Sequence, residues 1–307
     1  MRSYACLIAL IAAAAPAQQR QSVTSVRDIN GRVIEWSQSS AGDGRSTQTT
    51  QNLSGRRVPV EQVQEKILKN EGGVRVVERL IKRYDASGVP LPAEKAIVET
   101  TTRADGSTTE KATLWRADLN GTLRPAERLF TESSKSGDTT TSQVTVERTS
   151  VNGSFETQER RAIRETVTKT TSERDETVAR RDTNGQFVDS ARTVTRTSTV
   201  NDVTQTQTDE YDATTGQLKL FRQSSGRTVK NPDGTERQEI DIFGPAAPGR
   251  AVSADGQLQL RERQIFTSRQ SPDGSTVQVF AIQRPSLTSA KELGPAQTIS
   301  ETVITGK

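Results

Sequence analysis

Apolar and polar residues alternate with a period of two along most of this chain. Val144-Thr145-Val146, Leu218-Lys219-Leu220, Ile240-Asp241-Ile242, Leu258-Gln259-Leu260 and Val277-Gln278-Val279 each place apolar side chains on one pleat face and polar ones on the other, as half-buried strands do. Threonine fills many of the remaining positions, and its branched Cβ suits a pleated surface. Only 60–83 also admits a helical period, through Val60, Val63 and Ile67 or Val74, Val77 and Ile81; the flanking markers keep their step across it, so strand is expected there too.

Turn signals punctuate the alternation. Asn-Gly stands at Asn30-Gly31, Asn120-Gly121, Asn152-Gly153 and Asn184-Gly185, and Asp-Gly at Asp43-Gly44, Asp105-Gly106, Asp233-Gly234, Asp255-Gly256 and Asp273-Gly274. Such dipeptides favour tight hairpins, and a type I′ turn with positive φ at both residues is expected. Marker glycines Gly55, Gly88, Gly121, Gly153, Gly185 and Gly216 are separated by 33, 33, 32, 32 and 31 residues. A second turn falls about midway in most units, so each unit is strand, turn, strand, turn. Two positions after the marker stand Leu123, Phe155, Phe187 and Leu218, which predicts one narrow apolar stripe serving as core. Pro59, Pro92 and Pro125 recur in step and predict a bulge or strand entry at each, because proline cannot donate to a ladder.

The expected fold is therefore all-β: tandem antiparallel hairpins of period about 32, forming a long meander, an open twisted sheet or a closed propeller-like or barrel-like array. The expected boundaries are a signal peptide at 1–17, an N-terminal linker at 18–27, the array at 28–243, a Pro/Gly linker at 244–252, a last hairpin at 253–284 and a tail at 285–307. The signal peptide is read from Arg2, the apolar run Ala5 to Ala15 and the small residues Ala15 and Ala17, which predict Sec export to the periplasm, cell surface or medium. Cys6, the only cysteine, lies inside it, so the mature array holds together without disulfides.

Composition narrows the chemistry. Hydrophobic residues make up 31% and aromatics 4%, too little for a thick core. The net charge is +4, with basic pairs such as Arg160-Arg161 interleaved with acids, so no nucleic-acid stripe is expected. With no histidine, Ser-His-Asp centres and His-ligated zinc are excluded. Nucleophile elbows and phosphate loops are absent as well, and catalytic, cofactor-binding and metal-binding residues are all expected to be none. Asp28-Ile29-Asn30-Gly31 and Asp182-Thr183-Asn184-Gly185 begin like calcium loops but lack the later acids. Thr193 to Thr197 and Thr204 to Thr208 set threonine ladders on a strand face, and Trp36 and Trp115 join no aromatic cluster, which points to packing.

Tyr84-Asp85-Ala86-Ser87-Gly88 and Tyr211-Asp212-Ala213-Thr214-Thr215-Gly216 resemble the tyrosine-aspartate signature of the YD/RHS repeat family. The resemblance implies exported β-hairpin repeats; the period is longer here, and the other units lack the tyrosine. The expected function is a non-enzymatic exported scaffold, structural or adhesive, whose partner is a protein or polysaccharide surface. A membrane-spanning barrel is not expected, for want of a continuous apolar band and aromatic girdles. The alternatives are a carboxylate-dependent glycan-active or glycan-binding protein and a periplasmic carrier of amphiphiles.

Overall fold

At four of the marker glycines the chain reverses through the same short loop. In the computed structural model, Gly121 N donates to Asp118 O (2.9 Å) and Asp118 N to Thr122 O (2.9 Å), and the pattern repeats at Asp85 to Val89, Ser150 to Ser154 and Asp182 to Gln186. These are type I turns closed by a glycine at φ near +80°, so Asn120, Asn152 and Asn184 keep negative φ. The expected type I′ geometry occurs elsewhere, at Asn201 (φ 47°) and Asp202 (φ 61°). The difference is one of loop length: the Asn-Gly loops carry an additional residue before the glycine, which lets the asparagine stay right-handed.

The structure describes residues 20–28, 33–41, 43–53, 56–118, 120–213, 216–245, 258–285 and 293–306. The expected signal peptide with Cys6, and most of the expected linker at 244–252, lie outside them. The strands are β1 (Arg20–Asp28), β2 (Val33–Ala41), β3 (Gly44–Leu53), β4 (Arg56–Glu71), β5 (Val74–Arg83) and β6 (Glu94–Thr102). They continue as β7 (Thr108–Ala117), β8 (Leu123–Ser136), β9 (Thr139–Thr149), β10 (Phe155–Val167), β11 (Thr171–Arg181) and β12 (Phe187–Val200). The last six are β13 (Val203–Ala213), β14 (Leu218–Lys230), β15 (Glu236–Gly244), β16 (Gln259–Gln270), β17 (Thr276–Gln283) and β18 (Gln297–Gly306). Residues 20–27, expected as linker, thus form β1, and much of the expected C-terminal tail forms β18.

Each strand pairs antiparallel with the next, and β18 pairs back onto β1 from Ser22↔Gly306 to Asp28↔Ser300. The sheet is a closed barrel of eighteen strands, the closed member of the expected set of arrays. Closure satisfies both edges at once, which is how a long polar meander avoids edge-to-edge association.

Closure also corrects an expectation. The pattern pointed to a soluble scaffold facing a protein or polysaccharide surface, with no membrane-spanning segment. An eighteen-stranded closed ring is instead the architecture with which strands cross bilayers. No helix among the described residues is long and apolar enough to cross a membrane, which says nothing of strands. Moreover, register assembles an apolar row that linear reading misses. Ile67, Val77, Val98, Ala112, Leu129 and Val146 oppose one another in turn from β4 to β9.

Bulges recur around the ring. Five positions after Gly55, Gly121, Gly153, Gly185 and Gly216 the extra residue is Val60, Ala126, Gln158, Ser190 and Phe221; Arg261, Leu68 and Ile299 are extra in β16, β4 and β18, and β5 pairs with β6 without a bulge. Pro59 and Pro125 sit next to theirs, and Pro92 precedes β6, as the proline spacing predicts. Bulges raise local twist and help a sheet curl into a ring.

The expected apolar stripe is not the core. Phe155 and Phe187 lie beside the turns beneath the guanidinium groups of Arg128 (3.8 Å) and Arg160 (4.2 Å), and Leu123 is exposed. A strand's first residue, next to its turn, finds a neighbouring unit's arginine and not an apolar partner. The buried aliphatic side chains among the described residues are Val58, Val77, Val146, Val194 and Ile282. Strong contacts run between ring neighbours, with one further approach of β12 to β14. These five side chains, spread over the ring, do not make a packed core among the described residues.

Candidate functional site

A broad concavity lies across strands β10 to β14. Thr195 lies opposite Thr208, Thr197 opposite Thr206 and Thr199 opposite Thr204, and each pair joins hydroxyl to hydroxyl at 3.2, 3.2 and 3.0 Å. These are the threonine ladders seen in the sequence, and they meet as partners on one face. The other face of the same strands carries Arg192, Arg196, Gln205, Gln207 and Asp209 around the buried Val194.

On that charged face a hollow of about 920 Å³ extends over all five strands, lined by Arg164, Glu173, Arg196, Gln205, Ser225 and Arg227 among others. A hydrogen-bonded network forms its floor. Arg192 grips Asp175 with two bonds, Nε to Oδ1 at 2.9 Å and an Nη to Oδ2 at 2.6 Å. Arg196 bridges Glu173 (3.4 Å) and Asp209 (3.3 Å). Asp209 is buried and also accepts from the side-chain amides of Gln207 (3.1 Å) and Gln223 (2.8 Å). Planar guanidinium forks on carboxylates fix both partners in place. A smaller hollow of about 260 Å³ adjoins, sharing Arg227 and reaching Arg237 and Glu239.

Two guanidinium groups are left over. Among the described residues neither Arg164 nor Arg227 forms an ion pair within 4.0 Å, although the charge of Arg164 acts on Asp175. Glu239 stands opposite Arg227 across the ladder, but it is engaged by Arg237 at 2.7 Å.

The calcium-like stretch at Asp182 is a hairpin loop, its Oδ1 accepting the backbone N–H groups of Asn184 and Gln186 (2.9 Å each). The stretch from Asp28 to Gly31 lies mostly outside the described residues. Among the described residues no three acidic, histidine or cysteine side chains gather to hold a metal ion. Trp36 and Trp115 are half-buried within β2 and β7. Sequence reading missed the hollow because its walls come from strands whose sequences carry no motif; only the alternation of Arg, Gln and Glu with Thr along β10 to β14 hinted at a polar face.

No family model matches the sequence, and no curated protein matches it. Among solved structures the chain is similar to CdiB from Acinetobacter baumannii, at 8% identity and a TM-score of 0.39, over 94% of this chain and 60% of that one. This chain thus spans less than two thirds of the length of that protein.

Proposed function

We propose that this chain is a barrel of the bacterial cell envelope whose wall surrounds a water-filled passage for polar solutes. The observation that carries the reading is closure of eighteen strands around an interior without a packed core. Rings of about 16 to 18 strands are wide enough to hold an aqueous channel, where rings of about eight are filled by their own side chains. Whichever face of β10 to β14 turns inward supplies groups that hold water: ion pairs and amides on one, hydroxyl ladders on the other. The aliphatic row across β4 to β9 offers the wall an apolar sector. The N-terminal signal would deliver the chain across the inner membrane.

The test is to refold residues 18–307 in detergent and add the protein to planar lipid bilayers. Stepwise, long-lived conductance is expected. A folded protein that partitions wholly into the aqueous phase of a detergent phase separation and leaves the bilayer silent would overturn the proposal.

A further inference from the structure

We infer that the hollow across β10 to β14 binds an elongated oxyanion, with a phosphate-like group toward each end. Three guanidinium groups line it, those of Arg164, Arg196 and Arg227, and only Arg196 is spent on carboxylates. The remaining two stand on β10 and β14, four strand spacings apart, about 19 Å across the sheet. A single small anion cannot touch both. A rod-shaped one lying along the diagonal of the hollow meets Arg164 at one end and Arg227 at the other.

The ground between them suits acceptor oxygens. Gln205, Ser198 and Ser225 line it and bring amide and hydroxyl donors. The lining carboxylates are already neutralised, Glu173 by Arg196 and Asp175 by Arg192, so they repel an incoming anion less than free acids would. Guanidinium is the side chain best matched to phosphate oxygens, through its planar fork of donors. A condensed phosphate chain offers charge at both ends and acceptors along its whole length, and it is the chemistry these walls fit. The assignment stands on the hollow alone and does not depend on the passage proposed above.

The test is calorimetric titration of the detergent-held, full-length mature protein with a linear polyphosphate long enough to reach from Arg164 to Arg227 and, separately, orthophosphate, at low salt. Saturable polyphosphate binding is expected, with orthophosphate weaker by about tenfold or more. Arg164→Gln and Arg227→Gln should each weaken polyphosphate binding about tenfold, because each removes charge-assisted hydrogen bonds at one end. Arg164→Lys should restore part of the loss. Arg269→Gln on β16, which lies outside the hollow, should change nothing, and the thermal melts of all variants should coincide. Absence of saturable binding overturns the inference. So does equal affinity for orthophosphate, or variants at 164 and 227 that bind as the parent does. Conductance plays no part in these readouts, so failure here is distinct from failure of the passage.

Discussion

Val26 of β1 lies directly opposite Thr302 of β18, joining the two ends of the described chain across the seam of the ring. Opposed residues of an antiparallel ladder have Cα atoms about 4.5 to 5.5 Å apart. That lies inside the window of about 4.4 to 6.8 Å that a disulfide tolerates. A chain with Val26→Cys and Thr302→Cys, and with Cys6 replaced by serine, should therefore form an internal crosslink on mild oxidation, visible as faster migration on a non-reducing gel. Val26→Cys combined with Val144→Cys, on β9 at the opposite side of the ring, should give none. An open sheet would leave the seam pair uncrosslinked.

The turn aspartates tie stability to pH. Asp118 is held below the usual carboxylate range, first by the backbone N–H of Thr122 and then by that of Asn120 and the guanidinium of Arg124. Asp85, Asp105 and Asp273 are lowered chiefly by the hydroxyls of Ser87, Ser107 and Ser275. A carboxyl depressed in the folded state adds stability that is fully present above its unfolded value, near 3.9, and disappears as pH falls through the folded value. Melting temperature should therefore drop as pH is lowered below about 4. Asp118→Asn, which keeps an acceptor oxygen but cannot titrate, should shrink that drop. Asp118→Ala should lower the melt at neutral pH as well. If all four aspartates are changed to asparagine and the acid limb does not move, the turns are not its source.

How much of this barrel could be read from residues alone depends on the range of the interaction. Hairpins were legible, because a turn and its flanking alternation lie within a dozen residues, and the five-residue offset from Gly121 to the bulge at Ala126 repeats in plain view. The turn type at Asn120 and Asn184 was not, since Asn-Gly serves both a two-residue loop and a longer one. Strands β1 and β18 escaped notice because Ser, Thr and Gln dominate β1, and β18 follows two prolines. Their strand state is imposed by pairing with each other, a contact spanning nearly the whole chain. The hollow depends on the same long-range register: Arg164 and Arg227 share a wall only because three strands lie between them.

Glycine matters most where space and dihedral both demand it. Gly73 has φ +75°, and a Cβ there would fall 2.6 Å from the carbonyl oxygen of Thr102, whose own N–H donates to Gly73 O at 2.8 Å. Gly106 has φ +81° but open space around its missing Cβ. Gly106→Ala should cost about 1 kcal/mol, the conformational penalty alone. Gly73→Ala should cost about 2 to 3 kcal/mol, because the β5–β6 approach must also shift and weaken its hydrogen bond. Urea denaturation of the two variants side by side measures the difference; equal losses would mean the close approach at Thr102 is absent.

Phe221 is the extra residue of the β13–β14 bulge and is 40% exposed. Deleting it leaves Glu210 opposite Arg222 and Tyr211 opposite Leu220, so every other side chain keeps its face. Deleting Thr206, in the regular part of β13, has the opposite effect: one side of the strand must slip by a residue, which turns its side chains through the sheet. The threonine ladder would then lose its partners on β12, and the charged network at Asp209 would be drawn onto the wrong face. The Phe221 deletion should therefore fold, with a native strand spectrum and a modestly lower melt, because the bulge contributes twist and not pairing. The Thr206 deletion should lose the cooperative melt. Were both tolerated equally, register around the ring would be loose, and a wall of fixed composition could not be assigned to the hollow.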